Sequence, residues 1–246
     1  MTTADGRWFD MELDFCADVL SIRVSDGGFA TVALAPRPVA DFYADTVAAL
    51  RSLGISLHIF TMPCEIVDAD EAIPFPRDTM HRAYDKAYVL AFWQIVARVT
   101  TVLTEFRAGY VGKASPPLLF WGHFDLSLSV FSGRPMPPSL FAQLTDKLDR
   151  EGYSHELVTV GWWPGDRRLP KPTFFGSVAP EPAGFSSMMS RTPAVHYDPG
   201  IHSYCLDYDA VRTAPDPARL ALDFFRATYA AAADLGDWDR KALDRN

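Results

Sequence analysis

The stretch Gly112-Lys113-Ala114-Ser115-Pro116-Pro117-Leu118-Leu119-Phe120-Trp121-Gly122-His123-Phe124-Asp125-Leu126-Ser127 sets the fold class. A lysine-bearing turn leads through two prolines into an apolar run, residues 118–124, that reads as a strand. Residues 126–131 read as a second strand or its bent continuation, and 155–163, 173–178 and 204–208 read as strands beyond them. Strands gathered in hairpins and runs, without strict alternation of strand and helix, predict a mostly antiparallel sheet and an α+β fold.

The same reading extends outward in both directions. Residues 8–24 read as strand, with Met11, Leu13 and Phe15 alternating against Glu12 and Asp14. Asp26-Gly27-Gly28 is a hairpin signal, and 29–34 is the returning strand. Val39, Phe42, Tyr43, Thr46, Val47, Leu50 and Leu53 then fall at helical spacing before Gly54, and 55–60 alternates as a strand. The opening unit is thus ββαβ. A proline-punctuated acidic loop follows over 63–76, and 78–85 continues it or forms a short turn. A long central helix carries Tyr88, Phe92, Ile95, Val96, Val99, Leu103 and Phe106 on one stripe and ends near Gly109 and Gly112.

Residues 134–138 read as a linker, and Ser139 as the cap of a short helix with Leu140, Leu144 and Leu148. Residues 180–193 are irregular. The C-terminal helix has its cap at Asp216 and a proline, Pro217, in its first turn. It turns Ala218, Leu222, Phe225 and Tyr229 inward and stops at Gly236, and Asp237-Trp238 starts a final turn. Without repeats, low-complexity tracts or a long linker, the chain reads as one α+β domain over 1–246, with an N-terminal ββαβ subdomain over 8–62.

Bulk properties remove several function classes. The net charge is −8 and the basic residues are scattered, so neither nucleic acid nor an anionic membrane surface is expected as a partner. Cys16, Cys64 and Cys205 are odd in number and far apart, which reads as reduced thiols buried as small hydrophobes in a cytoplasmic protein. The N-terminus has no basic start and no apolar h-region, and Gln94, Arg98 and Glu105 interrupt the longest apolar pattern. A soluble protein without a membrane span is expected. Aromatic residues reach 13%, dense enough to line a pocket with rings as well as to fill a core.

The candidate chemistry centres on His123 and Asp125. On a regular strand they share one face, two ionisable groups side by side in apolar surroundings. The pair suits general acid/base work, two ligands of a metal, or a core histidine satisfied by its carboxylate neighbour. Ser154-His155-Glu156 opens the later strand that ends in Gly161-Trp162-Trp163-Pro164-Gly165. On a regular strand only one of His155 and Glu156 can join a site, and only one of Trp162 and Trp163 can line a pocket. Lys113 offers a charge for an anionic group or is a solvated surface lysine. Asp78, His81 and Tyr84 would share a face in a helical turn as an acid/base trio; loop anchoring by side-chain hydrogen bonds is the preferred reading.

Other chemistries lack their signatures. No Gly-x-Ser-x-Gly elbow is present, and asparagine occurs only at position 246, which removes Cys-His-Asn catalysis. No Gly-x-Gly-x-x-Gly follows a strand, and the Lys113 turn leads into a strand rather than a helix, so no nucleotide cofactor is indicated.

Several segments carry a family resemblance. They are Val39-Ala40-Asp41-Phe42-Tyr43, Ile73-Pro74-Phe75, His81 with Tyr84-Asp85, Phe106-Arg107, Gly112-Lys113, Phe120-Trp121-Gly122, Phe124-Asp125-Leu126, Phe131-Ser132-Gly133-Arg134, Tyr153-Ser154-His155-Glu156, Gly161 to Gly165, Pro180-Glu181-Pro182 and Tyr208-Asp209-Ala210-Val211-Arg212. In this order, across residues 9–238, the chain resembles a bacterial family catalogued as a domain of unknown function, number 5996. The resemblance implies no reaction. Asp125, Lys113, His155, Glu156 and Trp163 fit its shared pattern; His123 stands where relatives have a small serine, and Ala114 where many have cysteine. The relatives' extra segment before the first strand is missing here.

These readings together point to a small-molecule-binding protein, in one form a cofactor-independent acid/base enzyme acting on a small organic substrate in an aromatic pocket. Asp125 or Glu156 would be the base, His123 or His155 its partner, and Lys113, Trp121, Trp163, His81 and Tyr84 would contact substrate. A non-catalytic binding or interaction module is the alternative. A mononuclear metal hydrolase is the other, with a third ligand still to be supplied.

Overall fold

The computed structural model describes residues 1–3, 5–63, 72–143, 147–167, 169–188 and 194–245. Cys64, Leu144, the side chain of Leu148 and residues 189–193 of the irregular stretch lie outside the described residues. The chain forms two compact units, Met1–Ile95 and Val96–Asn246.

The first unit opens on an antiparallel meander of β1 (Phe9–Asp14), β2 (Val19–Val24) and β3 (Phe29–Ala33). The helix α1 (Val39–Ser52) follows. Phe9, Leu20, Ile22, Val24 and Val32 from the strands close a core with Leu50 and Ile55. The continuous strand expected over 8–24 is broken after Asp14. The Asp14 carboxylate accepts the backbone N–H groups of Cys16 and Ala17, both at 2.9 Å, and Asp18 takes a left-handed backbone (φ 55°). An aspartate that binds the backbone ahead of it makes a turn without glycine or proline.

The strand expected over 55–60 is not formed. The Ile55 amide donates to the Leu50 carbonyl at the end of α1, Ile55 alone is buried, and residues 56–60 are exposed. Alternation without a pairing edge does not make a strand, and the unit is βββα rather than ββαβ.

The helix α2 (Lys86–Ala108) runs 23 residues, up to Ile95 in the first unit and from Val96 in the second. Val99, Leu103 and Phe106 are buried, as the stripe predicts; Val102, off the stripe, is buried as well, and Tyr88, on it, is exposed. With a mean hydropathy of 1.4 it is long and apolar enough, by length and composition alone, to cross a membrane despite the interruptions read in the sequence.

The second unit is built on a six-stranded antiparallel sheet in the order β4-β5-β6-β7-β9-β8. Its strands are β4 (Leu118–Phe120), β5 (Asp125–Pro135), β6 (His155–Trp163), β7 (Thr173–Ala179), β8 (Val195–Asp198) and β9 (Ser203–Asp207). Between β5 and β6 come the short helices α3 (Pro138–Phe141) and α4 (Lys147–Gly152). After β9 come α5 (Tyr208–Arg212), α6 (Pro217–Leu235) and α7 (Arg240–Leu243). The Asp216 carboxylate caps α6 by accepting the Arg219 amide at 3.0 Å. Leu222, Phe225 and Tyr229 are buried as expected, but Ala218 is exposed and Ala221 takes the inward place.

Register fixes two faces with opposite character. Leu126, Leu128 and Val130 stand beside Trp162, Val160 and Val158, and these beside Phe174, Gly176 and Val178. Opposite residues of an antiparallel pair share a face, so this face is a continuous apolar layer. The helix α6 packs on it. Phe174 meets Phe225 at 6.0 Å between ring centroids, and a Cβ added to Gly176 would lie 2.5 Å from the Thr228 side chain. Only glycine lets the helix come this close. Phe106 of α2 and Tyr229 extend the aromatic layer at 6.2 Å. The opposite face carries Asp125, Ser127 and Ser129, then Thr159, Gly161 and Trp163, then Thr173, Phe175 and Ser177, then Ser203 and Cys205.

Candidate functional site

On that second, more polar face lies a cavity of about 220 Å³, open to solvent. His123, Asp125, Trp163, Phe175, Ile201 and Ser203 line it. They come from strand ends and turns along one end of the sheet: the β4–β5 turn, the first residue of β5, the last of β6, the middle of β7, the β8–β9 turn and the first residue of β9.

His123 reaches the cavity by a different route from the one the alternation suggests. Residues 121–124 form a tight turn, so His123 and Asp125 are not two positions of one strand. The Phe124 amide donates to the Phe120 carbonyl at 2.7 Å, and Phe124 holds a left-handed backbone, φ 59°. That conformation costs a bulky residue on the order of 1–3 kcal/mol, so the surroundings must hold it. Two bonds do so here: the Phe120–Phe124 closure, and the Trp163 indole N–H, which donates to the His123 carbonyl at 3.0 Å. The turn that delivers His123 is thereby tied to the last residue of β6.

Asp125 is half-buried, and the Ser127 hydroxyl donates to its Oδ2 at 3.0 Å. Ser127 is itself buried on the same face, which fixes the carboxylate's orientation. Ser203 donates its hydroxyl proton to the Ile201 carbonyl at 3.0 Å. Cys205, the β9 partner of Phe175, is fully buried, and burial pushes its thiol up to about 12. Cys16, expected to be buried, is exposed in the Asp14 turn.

The structure brings together three residues singled out from the sequence: His123, Asp125 and Trp163. The others stand elsewhere. Trp121 points outward, 61% exposed, edge-on to Phe124 at 6.0 Å. Lys113 places its ammonium 5.2 Å from the Phe131 ring centroid. His155 and Glu156 begin β6 while Trp163 ends it, so they lie about 20–25 Å from the cavity end of that strand. Glu156 there accepts from Arg134 at 2.7 Å and from the Ser132 hydroxyl at 2.9 Å. Arg134 also donates to the carbonyls of Gly236 and Asp237. The role this geometry gives Glu156 is to anchor the end of α6. His155 Nδ1 lies 3.2 Å from the Ser154 hydroxyl.

His81 and Tyr84 belong to the first unit. Asp78 accepts from the Met80 and His81 amides at 3.1 and 3.0 Å and meets the His81 imidazole at 2.9 Å. Burial works against the Asp78 charge, but these bonds outweigh it and hold the carboxyl below its usual range. Tyr84 donates instead to Asp18 at 2.9 Å, and burial together with that bond pushes its hydroxyl up to about 12. The trio is a pair of loop anchors, as preferred from the sequence. Phe175, Ile201 and Ser203 were not foreseen, because each enters the cavity only through the pairing of distant strands.

The sequence pattern of a family of unknown function, DUF5996, matches residues 1–245. The chain belongs to that family. No curated protein and no solved structure matches it. In this DUF5996 chain, no group of three His, Cys, Asp or Glu side chains that could hold a metal comes together among the described residues.

Proposed function

We propose that this protein binds a small organic molecule in the cavity over β5, β6, β7 and β9, and that Asp125 with His123 forms an acid/base pair toward it. The observation that carries the reading is convergence. An ionisable pair and two aromatic rings from four separate segments meet in one recess. A cavity of about 150 Å³ accommodates benzene, so about 220 Å³ suits a ligand somewhat larger than a single six-membered ring. Trp163 and Phe175 supply apolar contact, and the polar groups at the rim orient the guest. Ser127 and the His123 carbonyl bond keep the site in shape before a ligand arrives, which lowers the ordering cost of binding.

The test is a small-compound screen by thermal shift and tryptophan fluorescence on the wild type, Asp125→Asn and Trp163→Leu. Compounds that stabilise the wild type should lose most of their effect in both variants. Hits that bind all three chains equally would remove the cavity from consideration. Turnover of a bound compound that falls in Asp125→Asn by much more than its binding does separates an enzyme from a binding module.

A further inference from the structure

Glu181, Tyr197 and His202 meet beside the β8–β9 hairpin, outside the cavity, and we infer that they form a three-donor site for a hard metal ion, iron(III). The inference does not depend on the reading of the cavity. Three observations lead there.

The first is distance. Tyr197 Oη lies 2.5 Å from Glu181 Oε2 and 3.5 Å from His202 Nδ1, and His202 Nδ1 lies 3.6 Å from the same Glu181 oxygen. A triangle with these sides has one point about 2 Å from every corner, the length of a metal bond to oxygen or to imidazole nitrogen. Side chains that only anchor a loop need meet in pairs; here three donor atoms surround one point.

The second is how the donors are held. Glu181 stands between Pro180 and Pro182, whose rings fix their own φ. Tyr197 belongs to β8 and faces Tyr204 of β9, and its ring meets Tyr204 edge-on at 5.4 Å and Phe185 at 6.4 Å. Tyr204 in turn faces Gly176, so Tyr197 stands on the face that α6 covers and not on that of the cavity. His202 comes from the hairpin turn, with a left-handed backbone of φ 49°. Three separate segments thus place their donors before an ion arrives, which lowers the ordering cost of binding. The His202 side chain is 79% exposed, which gives the ion a way in and leaves water room to complete its coordination.

The third is the chemistry of the donors. A carboxylate, a phenolate and an imidazole bring two negative oxygens and one neutral nitrogen. Hard anionic oxygens favour a hard, highly charged cation, and imidazole is a regular ligand of iron. On binding, the cation takes the place of the proton that Tyr197 donates to Glu181, and that proton leaves to water. The iron stays ferric throughout, so no electron is exchanged.

The test uses the intact chain, stripped with a chelator and then given ferric nitrilotriacetate, with zinc, magnesium and calcium chlorides as comparison arms. The readouts are metal per chain after gel filtration and visible absorption. One iron per chain should remain, with a broad visible band from phenolate-to-iron charge transfer. Tyr197→Phe keeps the ring and should abolish the band. Glu181→Gln and His202→Asn should each weaken iron binding by about tenfold or more; asparagine tolerates the left-handed backbone at 202. Thermal melting checks the fold of each variant. Should Glu181→Gln fail to fold, Tyr197→Phe and His202→Asn carry the comparison. Iron that stays bound in all three variants is an adventitious ion held elsewhere, and it overturns the inference. Absence of iron binding, iron bound without the band, or a divalent ion held in preference to iron overturns it as well. None of these outcomes touches the cavity, whose own test runs through Asp125 and Trp163.

Discussion

Trp162 and Trp163 are adjacent in sequence and serve opposite faces of one sheet. Trp162 is 1% exposed and packs edge-on to Tyr208 at 6.1 Å, within the layer that α6 covers. Trp163 is 8% exposed, lines the cavity and binds the turn that carries His123. One face is close-packed and apolar, with Gly176 removed down to its backbone so that Thr228 can seat. The other carries serines, two threonines, an aspartate and a glycine beside Trp163, Phe175 and Cys205, and the cavity opens on it. The difference teaches that close packing and open space are divided between the two sides of the sheet rather than between separate regions of the chain.

If that division holds, the largest effect should come from Trp162→Ala. Losing a fully packed indole should lower unfolding free energy by about 3–5 kcal/mol, read by urea denaturation. Trp163→Ala should cost less, because its void opens onto an existing cavity. Equal losses would break the comparison. Gly176→Ala should cost about 1–3 kcal/mol by overpacking, since its Cβ would lie 2.5 Å from the Thr228 methyl. Adding Thr228→Ala should recover part of that loss, and a double-mutant cycle measures how much. Additive losses would mean that the helix contact has been misplaced.

A smaller change sharpens the cavity side. Trp163→Phe keeps a ring and removes the bond to the His123 carbonyl, for about 1 kcal/mol of stability. The left-handed turn at Phe124 loses one of its restraints, so amide hydrogen exchange should rise over 121–124 and stay unchanged in α6. At neutral pH the smallest effect concerns Cys205. Burial raises its thiol from 9.0 to about 12, so the native state favours the protonated form. The associated stability is fully present below pH 9 and is lost as pH climbs from there toward 12. Alkylation of the native protein at pH 8, followed by peptide mapping, should label exposed Cys16 and spare Cys205. Labelling of Cys205 at the rate of Cys16 would show that the polar face opens freely.

The parts of this architecture that could be read from sequence are those with local causes. The strand at His155–Trp163 alternates on its own, and Asp216-Pro217 marks the start of α6 by capping chemistry alone. The turn between β1 and β2 has no glycine or proline to mark it, because it rests on one Asp14 carboxylate. Residues 55–60 show the converse error, a strand pattern with no strand beside it. Strand alternation is not what brings His123 and Asp125 together: a four-residue turn returns the His123 side chain to the cavity that Asp125 lines. Ser203, Ile201 and Phe175 had no local signature. They reach the cavity because β9 pairs with β7, a register that hydrophobic periodicity alone does not encode.

The two outermost strands of the large sheet are also its shortest, with three residues in β4 and four in β8. An open edge is where a foreign strand can add, and a longer row of unpaired amides and carbonyls would template fibrillar growth. By ending its sheet on such brief strands, the chain keeps six strands in register while giving another molecule little backbone to copy.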